Sequence, residues 1–277
     1  VGTYSLKIAL LKIIFTCRNL VYEIKVIYFP KVYSNILANS PLESVHKNLT
    51  SPKRLNHLAR QFKFKSYLEI GVERGQTLEA IDIDIKYGVD PNPLFDHSVV
   101  PQGIVINRIK SDPFFVNYGD LKFDLIFIDG LHEAKQTYRD LINSFKILNE
   151  GGFILLDDVW PSDFASSVSD KTLSDYLKLK SGISHRRWNG DVFKVVEVVN
   201  ILHKEIRLQI IGNGVDSHSQ ALLWKHNRND EIIFNKKAIS VMRSIKYSEI
   251  FNSISFPWSD WITEEQFLEI KNFKSYN

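Results

Sequence analysis

The chain has 277 residues, 44% hydrophobic and 24% charged, with a net charge of +3. These are the proportions of a folded globular protein, long enough for one large α/β domain with appendages. A single cysteine, Cys17, excludes an internal disulfide framework and a cysteine-based zinc site, and it suits a reducing, cytoplasmic setting.

The small net charge hides an asymmetry. Residues 1–65 carry eleven Lys/Arg against two Glu, a net +9, which leaves −6 for the remaining 212 residues. Within residues 1–36, Leu6, Leu10, Ile13, Cys17, Leu20 and Ile24 recur at helical spacing, with Lys7, Arg18 and Lys25 elsewhere on the wheel. No run there reaches the roughly 18–20 apolar residues of a transmembrane helix. The segment is expected to contact either a homo-oligomer partner or the main domain. The alternative is a basic amphipathic helix lying on a membrane surface.

Ser51-Pro52 opens a predicted helix, with Ser as cap and Pro in the first turn. Then comes Ser66–Thr77, SYLEIGVERGQT. Its β-rich start, the turn glycines Gly71 and Gly75, and the helical TLEAI form the first half of a nucleotide-binding βαβ unit. Glu73 stands where a dinucleotide fingerprint has its middle glycine. Glu69 would repel a pyrophosphate and suit a cation, such as the amino group of a methionine moiety.

A second strand, YGVDP, ends at Asp90, 19 residues after Gly71, where a carboxylate can accept from ribose hydroxyls. Ile104–Ile109 is a third strand, followed by Asp112-Pro113. Phe123–Gly130, FDLIFIDG, is a continuous apolar run, as expected of a strand covered on both faces. It ends at Asp129, with His132 three residues on. Ala134, Tyr138, Leu141, Ile142, Phe145 and Leu148 then mark one face of a helix. After Gly151-Gly152, FILLDD gives a fifth strand ending at Asp157 and Asp158. Asp140 is expected to be solvated or paired with basic neighbours.

Helices are expected over about 166–180 and from Asp191. Between them His185, Arg186, Arg187 and Trp188 could receive an acidic or sugar substrate. Ile206–Ile211 and Gln220–Trp224 read as a closing antiparallel pair. The tail is helical in places and carries FPWSDW at 256–261. This divides the chain into a basic extension (1–50), a main domain (51–226) and a C-terminal extension (227–277).

The stretch Glu69-x-Gly71-x-x-x-Gly75-x-Thr77 resembles motif I of the class I S-adenosyl-L-methionine (SAM) methyltransferases. Segment 66–158 is similar to the metal-dependent catechol and caffeoyl-coenzyme A O-methyltransferases and to bacterial sugar and secondary-metabolite O-methyltransferases. The resemblance implies a Rossmann-like, seven-stranded, mostly parallel sheet with helices on both faces. It implies SAM contacts from Glu69, Gly71, Glu73, Gly75, Thr77, Asp90 and Asp129, with Asp112 at the adenine. It also implies a divalent cation, such as Mg²⁺, on Asp129, Asp157 and Asp158.

Where those enzymes carry a catalytic Lys, this chain has His132, and their Asn after strand five is Asp158. With an ordinary pKa of about 6.5, His132 would be largely neutral at pH 7 and able to take a hydroxyl proton. The expected acceptor is a sugar or small-molecule hydroxyl. Nucleic acid is not expected, because the catalytic half is acidic and no Asn-Pro-Pro-Tyr type motif follows strand four. Two rivals stand beside this reading: a metal-free SAM methyltransferase, and a non-catalytic interaction module of the same fold.

Overall fold

A computed structural model describes residues 50–95, 101–185, 187–212, 218–251 and 260–271. The expectations for residues 1–36, for Arg186 and for most of FPWSDW lie outside the described residues. No helix among the described residues is long and apolar enough to cross a membrane.

Strands and helices alternate through the first half. The elements are α1 (Thr50–Phe62), β1 (Ser66–Ile70), α2 (Gln76–Ala80), β2 (Ile85–Val89), β3 (Ile104–Asn107), α3 (Ser111–Asn117), β4 (Phe123–Ile128), α4 (Ala134–Ile147) and β5 (Leu148–Leu156). Then follow α5 (Lys171–Lys180), α6 (Phe193–Leu202), β6 (Ile206–Ile211), β7 (Gln220–Lys225), α7 (Ala238–Ser244), α8 (Tyr247–Phe251), β8 (Trp261–Ile262) and α9 (Glu264–Glu269).

The strands form one sheet in the order β3-β2-β1-β4-β5-β7-β6-β8. β1 to β5 are parallel, and β7 runs antiparallel to both β5 and β6. The sheet has eight strands where seven were expected. The extra one is β8, which pairs in parallel with β6 through Ile210–Trp261 and Ile211–Ile262. Two residues are too few to display a period-two pattern, so this strand leaves no mark in the sequence.

Alternation along β1 shows how the two faces fill. Leu68 and Ile70 join a core with Tyr138, Leu141 and Phe145 of α4 and Val195, Val196 and Val199 of α6. Tyr67 turns the other way, to Leu55, Leu58 and Ala59 of α1, Leu78 of α2 and Phe267 of α9. Each fully buried Leu or Phe contributes roughly 1.5–3 kcal/mol relative to exposure. The 14-residue α4 buries the face its periodicity predicts. With both faces covered, the residues beyond the carboxyl ends of β1, β2, β4 and β5 gather at the crevice where strand order reverses.

Ser51 is not a helix cap. It lies inside α1, where its hydroxyl accepts from Gln220 Nε2 at 2.7 Å and donates to Asp157 Oδ2 at 3.4 Å. Helix α5 takes its cap from Asp170, which accepts from Leu173 N, and α9 from a reciprocal box of Thr263 and Gln266.

Candidate active site

Every residue that the sequence singled out for cofactor, metal or catalysis lines a single cleft of about 1020 Å³, Gly75 excepted. Its first wall is the turn after β1. Gly71 has φ +87°, and a Cβ there would meet the Asp129 carbonyl oxygen at 2.0 Å. Glycine is required because the ends of β1 and β4 press together. At Gly75 (φ +75°) the space of a Cβ faces the Phe95 ring at 3.3 Å.

Between the two glycines Glu73 holds φ 45°, a costly conformation for a side-chain-bearing residue. Asp90 supports it, because its Oδ2 accepts from Val72 N and Glu73 N, each at 3.0 Å. Its Oδ1 accepts from Asn92 N at 2.7 Å. A carboxylate has about four lone-pair sites, so acceptor capacity remains for a ligand.

Glu69 is buried and accepts from the Tyr67 hydroxyl at 2.6 Å. Residues two apart share one face of a strand, which is why Tyr67 reaches it. Burial pushes the Glu69 carboxyl well above its usual range. The Tyr67 bond opposes that push, and the charges of Asp129 and Asp90 reinforce it. A carboxyl so placed gains its charge readily beside a cation, the chemistry an ammonium group brings.

The second wall is built by the ends of β4 and β5. Asp129, His132 and Asp158 bring one ligand atom each to within 4.8 Å of one another. His132 Nε2 lies 3.0 Å from Asp158 Oδ2 and 3.8 Å from Asp129 Oδ1, and its Nδ1 is 2.8 Å from the Trp188 carbonyl oxygen. Both ring nitrogens face oxygen acceptors, so both carry protons. Burial pulls the imidazole pKa down, but the hydrogen bonds and charges of Asp129 and Asp158 outweigh it and hold the group at about 11. The expectation of a largely neutral histidine at pH 7 is therefore corrected. Burial raises both carboxyls, and His132 opposes the rise.

Asp157 stands outside that three-residue group. Its Oδ1 accepts from Asp158 N at 2.8 Å. Burial and the charge of Asp129 push its carboxyl to about 6. Asp158 adopts φ 59°, backbone strain placed at the cleft.

Asp112 lies at the far end, half exposed, with Gln136 Nε2 at 3.1 Å and Arg139 Nη2 at 3.3 Å. Asp140, expected to be solvated or paired with basic neighbours, is buried and accepts from the same Gln136 Nε2 at 3.0 Å. It sits one helical turn beyond Gln136 on the face turned to α3, where burial pushes it to about 6 against the bonds from Ser111 and Gln136.

Several functional contacts have no sequence signal of their own. The Trp188 ring packs on His132 at 4.7 Å and 30°, with Nε1 bonded to the Val168 carbonyl, so it buttresses the imidazole. Asn189, 1% exposed, donates from Nδ2 to Asp158 Oδ1 at 2.7 Å. Gly190 (φ +62°) would place a Cβ 1.9 Å from the His132 carbonyl oxygen. The Trp-Asn-Gly run thus fits against His132 because it has a flat ring, an amide and no side chain in that order. His185 is not in the cleft lining; it pairs with Asp163 at 2.9 Å.

Residues 68–159 match the model of a methyltransferase domain family. No curated protein matches. Among solved structures, an SAH-bound methyltransferase of Podospora anserina is similar at 15% identity and a TM-score of 0.45, over 71% of this chain and 94% of that one. An O-methyltransferase of Bacillus cereus in complex with SAH is similar at 13% identity and a TM-score of 0.44, over 69% and 86%. At these values neither structure lends this chain a residue role or a substrate. The family match falls on β1 to β5 and on both walls of the cleft, and over that stretch the chain is similar to a methyltransferase domain.

Proposed function

We propose that the protein methylates a hydroxyl of a sugar or other small metabolite, with SAM on the β1–β2 wall and a divalent cation on the β4–β5 wall. The observation that carries this reading is the meeting of both walls in one cleft, carboxylates on each. SAM fits the first wall: Glu69 would take its ammonium, Asp90 its ribose hydroxyls, and Asp112 its adenine. When bound, SAM supplies an electrophilic methyl group on sulfur. A cation fits the second wall, since Asp129, Asp157 and Asp158 offer hard oxygens whose pKa is raised chiefly by burial and further by neighbouring carboxylate charge. It would supply Lewis acidity towards the acceptor oxygen.

The chain's own part is alignment, proton removal and exclusion of water. His132 Nε2 takes the hydroxyl proton in its neutral form, and the Trp188 carbonyl keeps Nδ1 protonated so that Nε2 is the basic atom. One observation favours the metal-free reading: the His132 imidazolium already lies between Asp129 and Asp158. Transfer of labelled methyl from SAM to an acceptor panel, with Mg²⁺ or with EDTA, separates the two. Loss of transfer in EDTA with SAH binding intact supports the cation, and full activity in EDTA removes it.

The basic residues 1–36 would serve a partner or membrane surface, and the single cysteine suits the cytoplasm. Deleting 1–36 should leave SAH affinity unchanged while altering oligomer size or binding to anionic vesicles. No change in either abandons that role.

A further inference from the structure

Behind the β5 wall runs a line of polar groups that the transfer reading leaves unused. Arg54, on α1, is 3% exposed. Its Nε donates to Glu264 Oε2 of α9 at 2.7 Å, and its Nη1 donates to the His218 carbonyl at 2.8 Å and to Gln220 Oε1 at 3.0 Å. Gln220, at the start of β7 and 1% exposed, donates from Nε2 to Ser51 Oγ at 2.7 Å. Ser51 donates to Asp157 Oδ2 at 3.4 Å.

The line has a direction, and Arg54 sets it. A guanidinium has donors only, so Gln220 must turn its oxygen to Arg54 and its NH₂ away. That NH₂ occupies a lone pair of Ser51, which leaves the hydroxyl hydrogen for Asp157. The other Asp157 oxygen is already held by Asp158 N. Each oxygen thereby has a donor, Gln220 also bonds to the carboxylate directly, and the remaining lone pairs are left for the cleft that the residue lines. Without the cation the buried amide could turn over, Ser51 would then donate to Gln220, and Asp157 Oδ2 would lose its donor.

We propose that Arg54 is a positioning residue for the transfer site, orienting the Asp157 carboxylate through Gln220 and Ser51 and linking that orientation to the docking of α9 through Glu264. This rests on the reading of Asp157 as an oxygen ligand for a divalent cation. A relay at this place makes the cleft sensitive to a helix from the far end of the chain, 210 residues away in sequence.

The test uses the full chain, Mn²⁺ as the probe cation, and SAH as a control for the other wall. Binding of each is measured by calorimetry, with thermal unfolding alongside. Gln220→Glu keeps the size and the contact to Arg54 but turns an acceptor to Ser51, so it reverses the bond between residue 220 and Ser51 and draws the hydroxyl hydrogen away from Asp157 without undoing the packing. Ser51→Ala removes the hydroxyl and with it both the bond from Gln220 and the bond to Asp157, and Ser51→Thr keeps a hydroxyl. The expected result is Mn²⁺ binding about tenfold weaker in Gln220→Glu and in Ser51→Ala, recovery in Ser51→Thr, and SAH affinity within twofold throughout. Unchanged Mn²⁺ affinity in both weakened variants overturns the proposal while leaving the cation site standing. If the unaltered protein binds SAH but no Mn²⁺, the cation reading fails first and the proposal falls with it. Equal loss of SAH and Mn²⁺ binding in Ser51→Ala would also overturn it, since that is general damage to the fold.

Discussion

Asp90, at the end of β2, gives both oxygens to backbone N–H groups of the neighbouring turns, whereas Asp129 and Asp158, beyond β4 and β5, meet one imidazole and each other. The first arrangement stores shape. It holds Glu73 in a left-handed conformation and presets the turn that a cofactor must meet. The second arrangement stores charge. Burial first, and then neighbouring carboxylate charge, raises the proton affinity of these carboxylates, and they raise that of His132, so the wall suits a cation or a proton. The same residue type thus does opposite work on two sides of one cleft, and what separates the roles is that backbone N–H groups surround Asp90 whereas ionisable groups, with one amide from Asn189, surround Asp158.

The sharpest way to break this contrast is at His132. His132→Ala should lower kcat by roughly 10²–10⁴-fold, the range for a general base, with little change in SAH affinity. A base must be deprotonated to act. With the group held at about 11, activity without a divalent cation should climb through the alkaline range, and a cation on the carboxylates should bring that limb down towards neutrality. An unchanged rate in His132→Ala removes the base. The linked stability has its own sign. The folded pKa is raised, so the stabilisation is full below about 6.5 and is lost as pH rises towards about 11.

On the other wall, Asp90→Ala should weaken SAH binding by about 1.5–3 kcal/mol, the worth of hydrogen bonds to a charged acceptor, because the turn loses its support together with the ribose contact. Equal loss of SAH and Mn²⁺ binding would show that the two walls are not separable. The smallest effect is expected at Asp140. Its folded pKa is raised to about 6 from 3.8, so burial of its charge costs stability increasingly as pH rises from about 4 to about 6, and fully above that. Asp140→Asn should therefore stabilise the fold by on the order of 1–3 kcal/mol at pH 8 and by little at pH 4. Equal melting shifts at both pH values would remove the argument.

The parallel half of the sheet, the glycine turn and the positions of the strand-end carboxylates were legible along the chain. These depend on local rules: a buried strand must be apolar throughout, a chain reversal with positive φ selects glycine, and residues ending adjacent parallel strands share a crevice. The charge and partners of those carboxylates depend on contacts made across the chain. His132 is a cation because Asp158 and the Trp188 carbonyl, 26 and 56 residues away, face its two nitrogens. Asp140 is buried because α3 and Gln136 enclose it. The strand β8 and the Arg54–Gln220–Ser51 line exist because the tail returns to the edge of the sheet and sets Glu264 against α1. Charge state, hydrogen-bond direction and edge pairing depend on groups brought together across the chain, and a one-dimensional pattern carries no record of those distances.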